Sequence, residues 1–264
     1  MSELAAHLAY EADIAPAAAL MADHARATML LALLDGRPLA ATELARLAAV
    51  SPPTASAHLA KLLDGGLVTV IRQGRHRYYR LAGHEVAAAI EALSQLGPPA
   101  RVRSLRQSRR AVALAEARTC YDHLAGRAGV ELLDALLREG LLAETGRADA
   151  GAGPGAGRRP AAEGPVTDMA AGRYRVTRLG TAVLAPFGIH IDAIRASRRR
   201  FAGPCLDWTQ RRPHLGGALA AAITARLFEL AWIERGSRPR SVRVTPSGRE
   251  GMAATFGCAG GQHS

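Results

Sequence analysis

Apolar residues recur at helical spacing through residues 16–34, PAAALMADHARATMLLALL, and bring Leu20, Met21, His24, Thr28, Leu31 and Leu34 near one face. The spacing predicts a single packing helix that Asp35–Gly36 stops. A short second helix is expected from Thr42. The stretch ELARLAAVSPPTASAHLAKLLDGGLV then loses its helical pattern at Ser51–Pro52–Pro53 and regains it afterwards. Ser51 offers an N-cap oxygen, and Pro52 fits the first helical turn, where its missing N–H costs nothing. Gly65–Gly66 end this third helix, expected at about 52–64. Ala55, Leu59, Leu62 and Leu63 are expected to face inward, leaving Pro53, Thr54, Ser56, Ala57, His58 and Lys61 outward. The runs LVTVI and HRYYRL read as strands of a hairpin, with Arg72, Arg75 and Arg77 around its tip at 70–80.

The outward face of the third helix has short polar side chains near its start and a cation further on, which suits a helix tip entering a major groove. An arginine-tipped hairpin is placed to meet phosphates or the minor groove. The combination of VSPPTASAHLAKLLDGGLV with IRQGRHRYYRL resembles the winged helix–turn–helix of the ArsR/SmtB family of bacterial transcriptional regulators. The resemblance covers residues 15–96 and implies a homodimer on a near-palindromic operator, usually repressing until an effector binds. Metal sensors of that family often carry paired cysteines before the recognition helix; here the matching stretch, ELARLAAV, has no thiol. The last helix of the unit, HEVAAAIEALSQL, offers only His84, Glu85 and Glu91 as ligands.

Beyond Gly97–Pro98–Pro99 the run RVRSLRQSRRAVALAEARTCYDHL predicts one long amphipathic helix. Its arginines, Arg101, Arg103, Arg106, Arg109 and Arg110, form either a solvated face or an added phosphate contact. Laying 122–142 over 213–233 at a constant offset of 91 matches His123 with His214, Leu124 with Leu215, Gly126 with Gly217 and Leu136 with Leu227. Each copy is followed by a hairpin-like tail with the pattern x-Val-Thr-x-x-Gly. The expected fold class is therefore mainly α with small β-hairpin wings: an N-terminal winged helix–turn–helix (1–96) plus two further winged-helix-like repeats in a C-terminal domain (97–264). The repeats are expected at about 118–190 and 209–257, with a disordered Gly/Ala/Pro insert at 145–172.

A net charge of +11 favours a polyanionic partner, although Lys61 is the single lysine among 34 basic residues, which points to GC-rich coding for part of the excess. Three cysteines at wide spacings, with no CxxC pair, argue against a disulfide framework and for a reducing, cytoplasmic setting. No apolar run reaches membrane-spanning length, so no membrane partner is expected. Two segments concentrate reactive groups: Arg118, Cys120, Tyr121, Asp122 and His123; and Cys205, Asp207, Trp208, Arg212 and His214. Cys120 and His123 at i, i+3 of the expected helix share a face and would reach one soft metal ion such as zinc. Cys205, Asp207 and His214 would complete its shell if the two segments meet. The alternatives are helix-start packing by two equivalent histidines, a small organic effector bound by Tyr121, Trp208, Arg212 and the histidines, and a thiol switch. Cys258 has no evident role, and the absence of a phosphate loop or nucleophile elbow argues against an enzyme. The expected function is a sequence-specific DNA-binding transcriptional regulator, a homodimeric repressor released by an effector sensed in the C-terminal domain. The alternative is a tandem winged-helix protein-interaction scaffold.

Overall fold

The computed structural model describes residues 12–74, 76–97, 104–145, 174–197 and 199–258. Arg75, Arg101, Arg103, the side chain of Arg106 and nearly all of the expected 145–172 insert lie outside these residues. The chain divides into two units, Met1–Ile90 and Glu91–Ser264.

In the first unit, helices α1 (Ala15–Ala22) and α2 (His24–Leu33) replace the single helix expected at 16–34. The break is at Asp23, whose backbone is extended and whose carboxylate accepts the Arg26 N–H as an N-cap. The break also changes the buried stripe, which becomes Met29, Leu30, Ala32, Leu33 and Leu34, while Leu31 is exposed. Strand β1 (Leu39–Ala40), helix α3 (Ala41–Leu47), helix α4 (Pro52–Asp64), strands β2 (Val68–Gln73) and β3 (His76–Leu81), and helix α5 (His84–Leu96) follow. Apart from the split first helix and the added β1, this is the helix–helix–turn–helix–hairpin–helix order that carried the ArsR/SmtB resemblance. The α3–α4 turn passes through Ala49 at φ 54°, and Ser51 Oγ caps α4 by accepting the Thr54 N–H. Strand β3 is the middle of a three-stranded antiparallel sheet, β1-β3-β2.

The second unit takes in the end of α5 from Glu91 and continues with helix α6 (Leu105–Glu116), shorter than the helix expected there. Ser104 caps it, and the chain turns extended at Ala117. It then runs twice through hairpin, helix, hairpin, helix. The first pass comprises β4 (Arg118–Cys120), β5 (His123–Ala125), α7 (Arg127–Arg138), β6 (Leu142–Glu144), β7 (Tyr174–Val176) and α8 (Arg178–Leu184), with a short α9 (Ile191–Arg195) after it. The second comprises β8 (Gly203–Leu206), β9 (Pro213–Gly216), α10 (Ala218–Glu229), β10 (Ile233–Arg235), β11 (Val242–Val244) and α11 (Pro246–Phe256). A hairpin thus stands directly before α7 and α10, where a helix–turn–helix has its preceding helix. The second pass opens at Gly203, ahead of the expected start near 209.

Packing between the passes is reciprocal: α7 lies on β9 and α10 lies on β5. The Leu124 N–H donates to Thr224 Oγ1 at 2.9 Å, and Leu133, Leu136, Leu215, Leu219, Ile223 and Leu227 fill the shared core. Gly126 and Gly217 are the N-caps of α7 and α10, at φ 76° and 96°. A Cβ at Gly217 would lie 2.7 Å from the Arg200 carbonyl oxygen, so neither the backbone angle nor the space admits a side chain there. No helix among the described residues is long and apolar enough to cross a membrane.

Candidate functional site

Helix α4 is held by three anchors, Ala55, Leu59 and Leu62, each fully buried. Leu63, expected inside, is 39% exposed, because the helix packs along a narrow stripe. Pro53, Thr54, Ser56, Ala57 and Lys61 are all exposed. The tip hydroxyls are held locally: Ser51 Oγ and Thr54 Oγ1 lie 2.8 Å apart, and Ser56 Oγ donates to the Pro52 carbonyl at 3.0 Å. His58 is half-buried, with Nδ1 3.7 Å from Asp23 Oδ1, so one of the expected reading residues faces its own scaffold. On the wing, Arg72 and Arg77 are exposed and directly opposite each other across β2–β3. Like charges facing across a strand pair disfavour the hairpin unless an anion lies between or above them.

In the second cluster Cys120, His123 and His214 are buried and Cys205 is half-buried. Cys120 and His123 are not on a helix, as their i, i+3 spacing suggested, but oppose each other across the β4–β5 hairpin, whose two-residue turn carries Tyr121 at φ 62°. Cys205 and His214 oppose each other in the same way across β8–β9. The packing of the two hairpins brings the four side chains together: their ligand atoms all lie within 4.8 Å of one another. The two Sγ atoms are 3.8 Å apart, and the imidazole centroids 5.1 Å. His123 Nδ1 lies 3.3 Å from Asp122 Oδ1, and Asp122 Oδ2 accepts from Arg199 Nη1 at 2.6 Å. His214 Nδ1 lies 3.6 Å from Asp207 Oδ2, within ion-pair range but short of a hydrogen bond.

Asp207, expected as a ligand, is instead saturated by other partners. Its Oδ2 accepts the Gly126 N–H at 2.6 Å and its Oδ1 the Thr209 and Gln210 N–H groups, while Arg118 lies 3.0 Å from Oδ2. Burial opposes its charge, yet Arg118 and these donors hold its carboxyl well below the usual range. Arg118 is fully buried, 3.8 Å from Glu91 and stacked 4.9 Å from the centre of the Trp208 ring. Glu91 also pairs with Arg240, so its place is in a buried ion network rather than at a helix-borne ligand site. Burial likewise opposes ionisation of Asp122, but His123 and Arg199 bring it to about 2. The Cys205 thiol beside it and burial push Cys120 up to about 12, so at neutral pH this thiol ionises only if a cation takes the proton's place.

Tyr121 is half-buried in its turn, and Arg212 reaches Asp134 at the surface, with Nη2 2.8 Å from Oδ2. A groove of about 620 Å³ in this unit is lined by other residues, among them Glu116, Arg127, Glu131, Arg243 and Arg249. Glu91, Arg240 and Arg199 carried no sequence signal for their roles, because their partners are 27 or more positions away.

A family model described as a helix-turn-helix domain matches residues 21–71. The chain is 40% identical over 237 residues to an uncharacterized HTH-type transcriptional regulator, YdfF, of Bacillus subtilis (strain 168), across 90% of this chain and 94% of that one. The chain belongs to the HTH-type transcriptional regulators. Among solved structures, HlyU from Vibrio cholerae N16961 matches with 31% identity and a TM-score of 0.30, covering 36% of this regulator and 97% of HlyU. NolR from Sinorhizobium fredii matches with 27% identity and a TM-score of 0.32, over 36% of this chain and 93% of that one. The homodimeric winged helix–turn–helix fragment Mb0332 from Mycobacterium bovis, described as a possible ArsR-family regulator, matches with 34% identity and a TM-score of 0.30, over 36% and 85%.

Proposed function

We propose that this regulator is a homodimeric repressor that reads an operator with α4 and the wing, and that it lets go when its second unit takes an effector, a soft metal ion or a small organic molecule. The observation that carries the reading is the asymmetry of α4: three buried anchors on one side, and Pro53, Thr54, Ser56, Ala57 and Lys61 exposed on the other. Thr54 and Ser56 supply short donors and acceptors for base edges, while Lys61, Arg72 and Arg77 supply phosphate contacts that place the helix.

The test is selection of bound duplexes from a random library by the full chain, followed by anisotropy titration at several salt concentrations. The expected result is an enriched site of two inverted half-sites about one helical turn apart. Lys61→Ala should weaken binding to all sequences alike and reduce the log–log salt slope by about 1. Duplex binding with no enriched sequence would remove the operator-reading role and favour the protein-interaction scaffold.

A further inference from the structure

The four donors, three of them buried and Cys205 half-buried, all belong to the second unit, and their arrangement is more specific than packing requires. We infer that Cys120, His123, Cys205 and His214 form a closed Cys2His2 site for zinc or a zinc-like soft divalent ion, each pass of the second unit supplying one cross-strand Cys–His pair. The repressor reading matters here only for what the ion regulates; the site stands on its own geometry.

The sulfur separation is the first reason. At 3.8 Å the two Sγ atoms are far beyond a disulfide bond of about 2.05 Å. They match the tetrahedral edge of about 3.8 Å that follows from a Zn–S bond near 2.3 Å. The imidazoles are the second reason. His123 Nε2, His214 Nδ1 and His214 Nε2 are buried without a hydrogen-bond partner, an arrangement that is costly unless something binds there. Each ring also has a carboxylate on its Nδ1 side, Asp122 for His123 and Asp207 for His214, with Arg199 and Arg118 behind them. For His123 that contact orients the ring with Nε2 towards the ion, as second-shell carboxylates do for metal-bound histidines, whereas Asp207 stays at ion-pair distance from His214 and leaves both of its ring nitrogens unpartnered.

Charge completes the case. Two thiolates and two neutral imidazoles around a dication sum to zero, which a buried site tolerates, and the two thiol protons leave to solvent on binding. Soft N/S donors select against magnesium and calcium. Four protein ligands leave no open coordination position, so the ion braces the two hairpins and does no chemistry on a substrate. Neither pass alone holds more than two donors, so the ion is captured only when the hairpins are docked.

The experiment is elemental mass spectrometry of the untagged full chain, purified under reducing conditions without chelator, followed by exchange of the bound ion for cobalt(II). One zinc per chain is expected, and cobalt should give the visible bands of a tetrahedral site with thiolate-to-cobalt charge transfer in the near ultraviolet. Cys120→Ser and His214→Ala should lose the ion. Cys258→Ser should keep it, and so should His123→Cys, which preserves a four-ligand set even if the first two variants fold poorly. Wild-type protein that carries no metal and gives no tetrahedral cobalt spectrum would overturn the site, as would a Cys120→Ser variant with undiminished metal. Operator binding measured on the same samples separates the two readings: metal-loaded protein without operator preference sinks the repressor and leaves the site intact.

Discussion

Helix α4 and helices α7 and α10 are of similar length and each follows a turn, yet they meet opposite fates. Of its thirteen residues α4 buries three; α7 buries seven of twelve and α10 six of twelve. A helix that enters a groove must keep most of its circumference free, and one that closes a core cannot. Their starts differ in the same sense. The cap of α4 is Ser51, with side-chain hydroxyls of its own at the tip, whereas α7 and α10 start at Gly126 and Gly217, where the backbone runs too close to its neighbours for a side chain. One architecture presents chemistry outward, and the other gathers it at the centre, where Arg118, Asp207 and the Cys/His cluster lie.

The sharpest way to break this contrast is to damage the centre and ask whether the outward face notices. Arg118→Met would leave Asp207 and Glu91 buried without their shared cation, which should cost about 3–5 kcal/mol. Both tryptophans, Trp208 and Trp232, lie in the second unit, so their fluorescence in a urea titration reports that unit. The midpoint should fall well below that of the unaltered chain. An unchanged midpoint would mean that the ion network is not what holds the centre together.

The outward-facing unit was legible because its signals are local. Ser51, Pro52 and Gly65–Gly66 delimit α4 within a few residues of chain, and the spacing of Ala55, Leu59 and Leu62 marks its buried side. The break at Asp23 was local too, but an apolar period running past it concealed the cap. The centre was legible only in part. A spacing of three between Cys120 and His123 fits one helical turn and a two-residue hairpin equally well, and strands of three residues are too short to show a period. The match of Cys205 to Cys120 was hidden as well. Cys120 precedes His123 by three positions and Cys205 precedes His214 by nine, so six more residues separate the paired Cys and His of the second hairpin, and an ungapped offset of 91 aligns the histidines but not the cysteines.

A second test bears on the close approach at the start of α10. Gly217→Ala would place a methyl group against the Arg200 carbonyl oxygen and hold a non-glycine residue at φ 96°. The expected cost is about 2 kcal/mol, read from the same tryptophan titration. Gly140→Ala makes a useful contrast within the same unit, since nothing lies within 4 Å of its Cβ and only the φ of 68° opposes the substitution. If the two variants lost equal stability, close packing at the α10 cap would not distinguish the centre from the surface.

The smallest expected effect separates two roles within α4 itself. Ser51 Oγ accepts the Thr54 N–H at 3.3 Å, so Ser51→Ala should loosen the first turn by about 1 kcal/mol. Because Ser51 precedes the helix and the proposed reading face starts at Pro53, operator affinity should fall modestly, with the ranking of operator variants unchanged. Thr54→Ala removes a hydroxyl exposed at the helix tip and, on the proposed reading, should alter that ranking, with discrimination at one base position shifting by about 1–3 kcal/mol. A full set of single-base operator variants measured against both proteins decides the matter. If Ser51→Ala changed the ranking and Thr54→Ala did not, the residue that meets the bases would be the cap, and the helix would lie one turn further out of the groove.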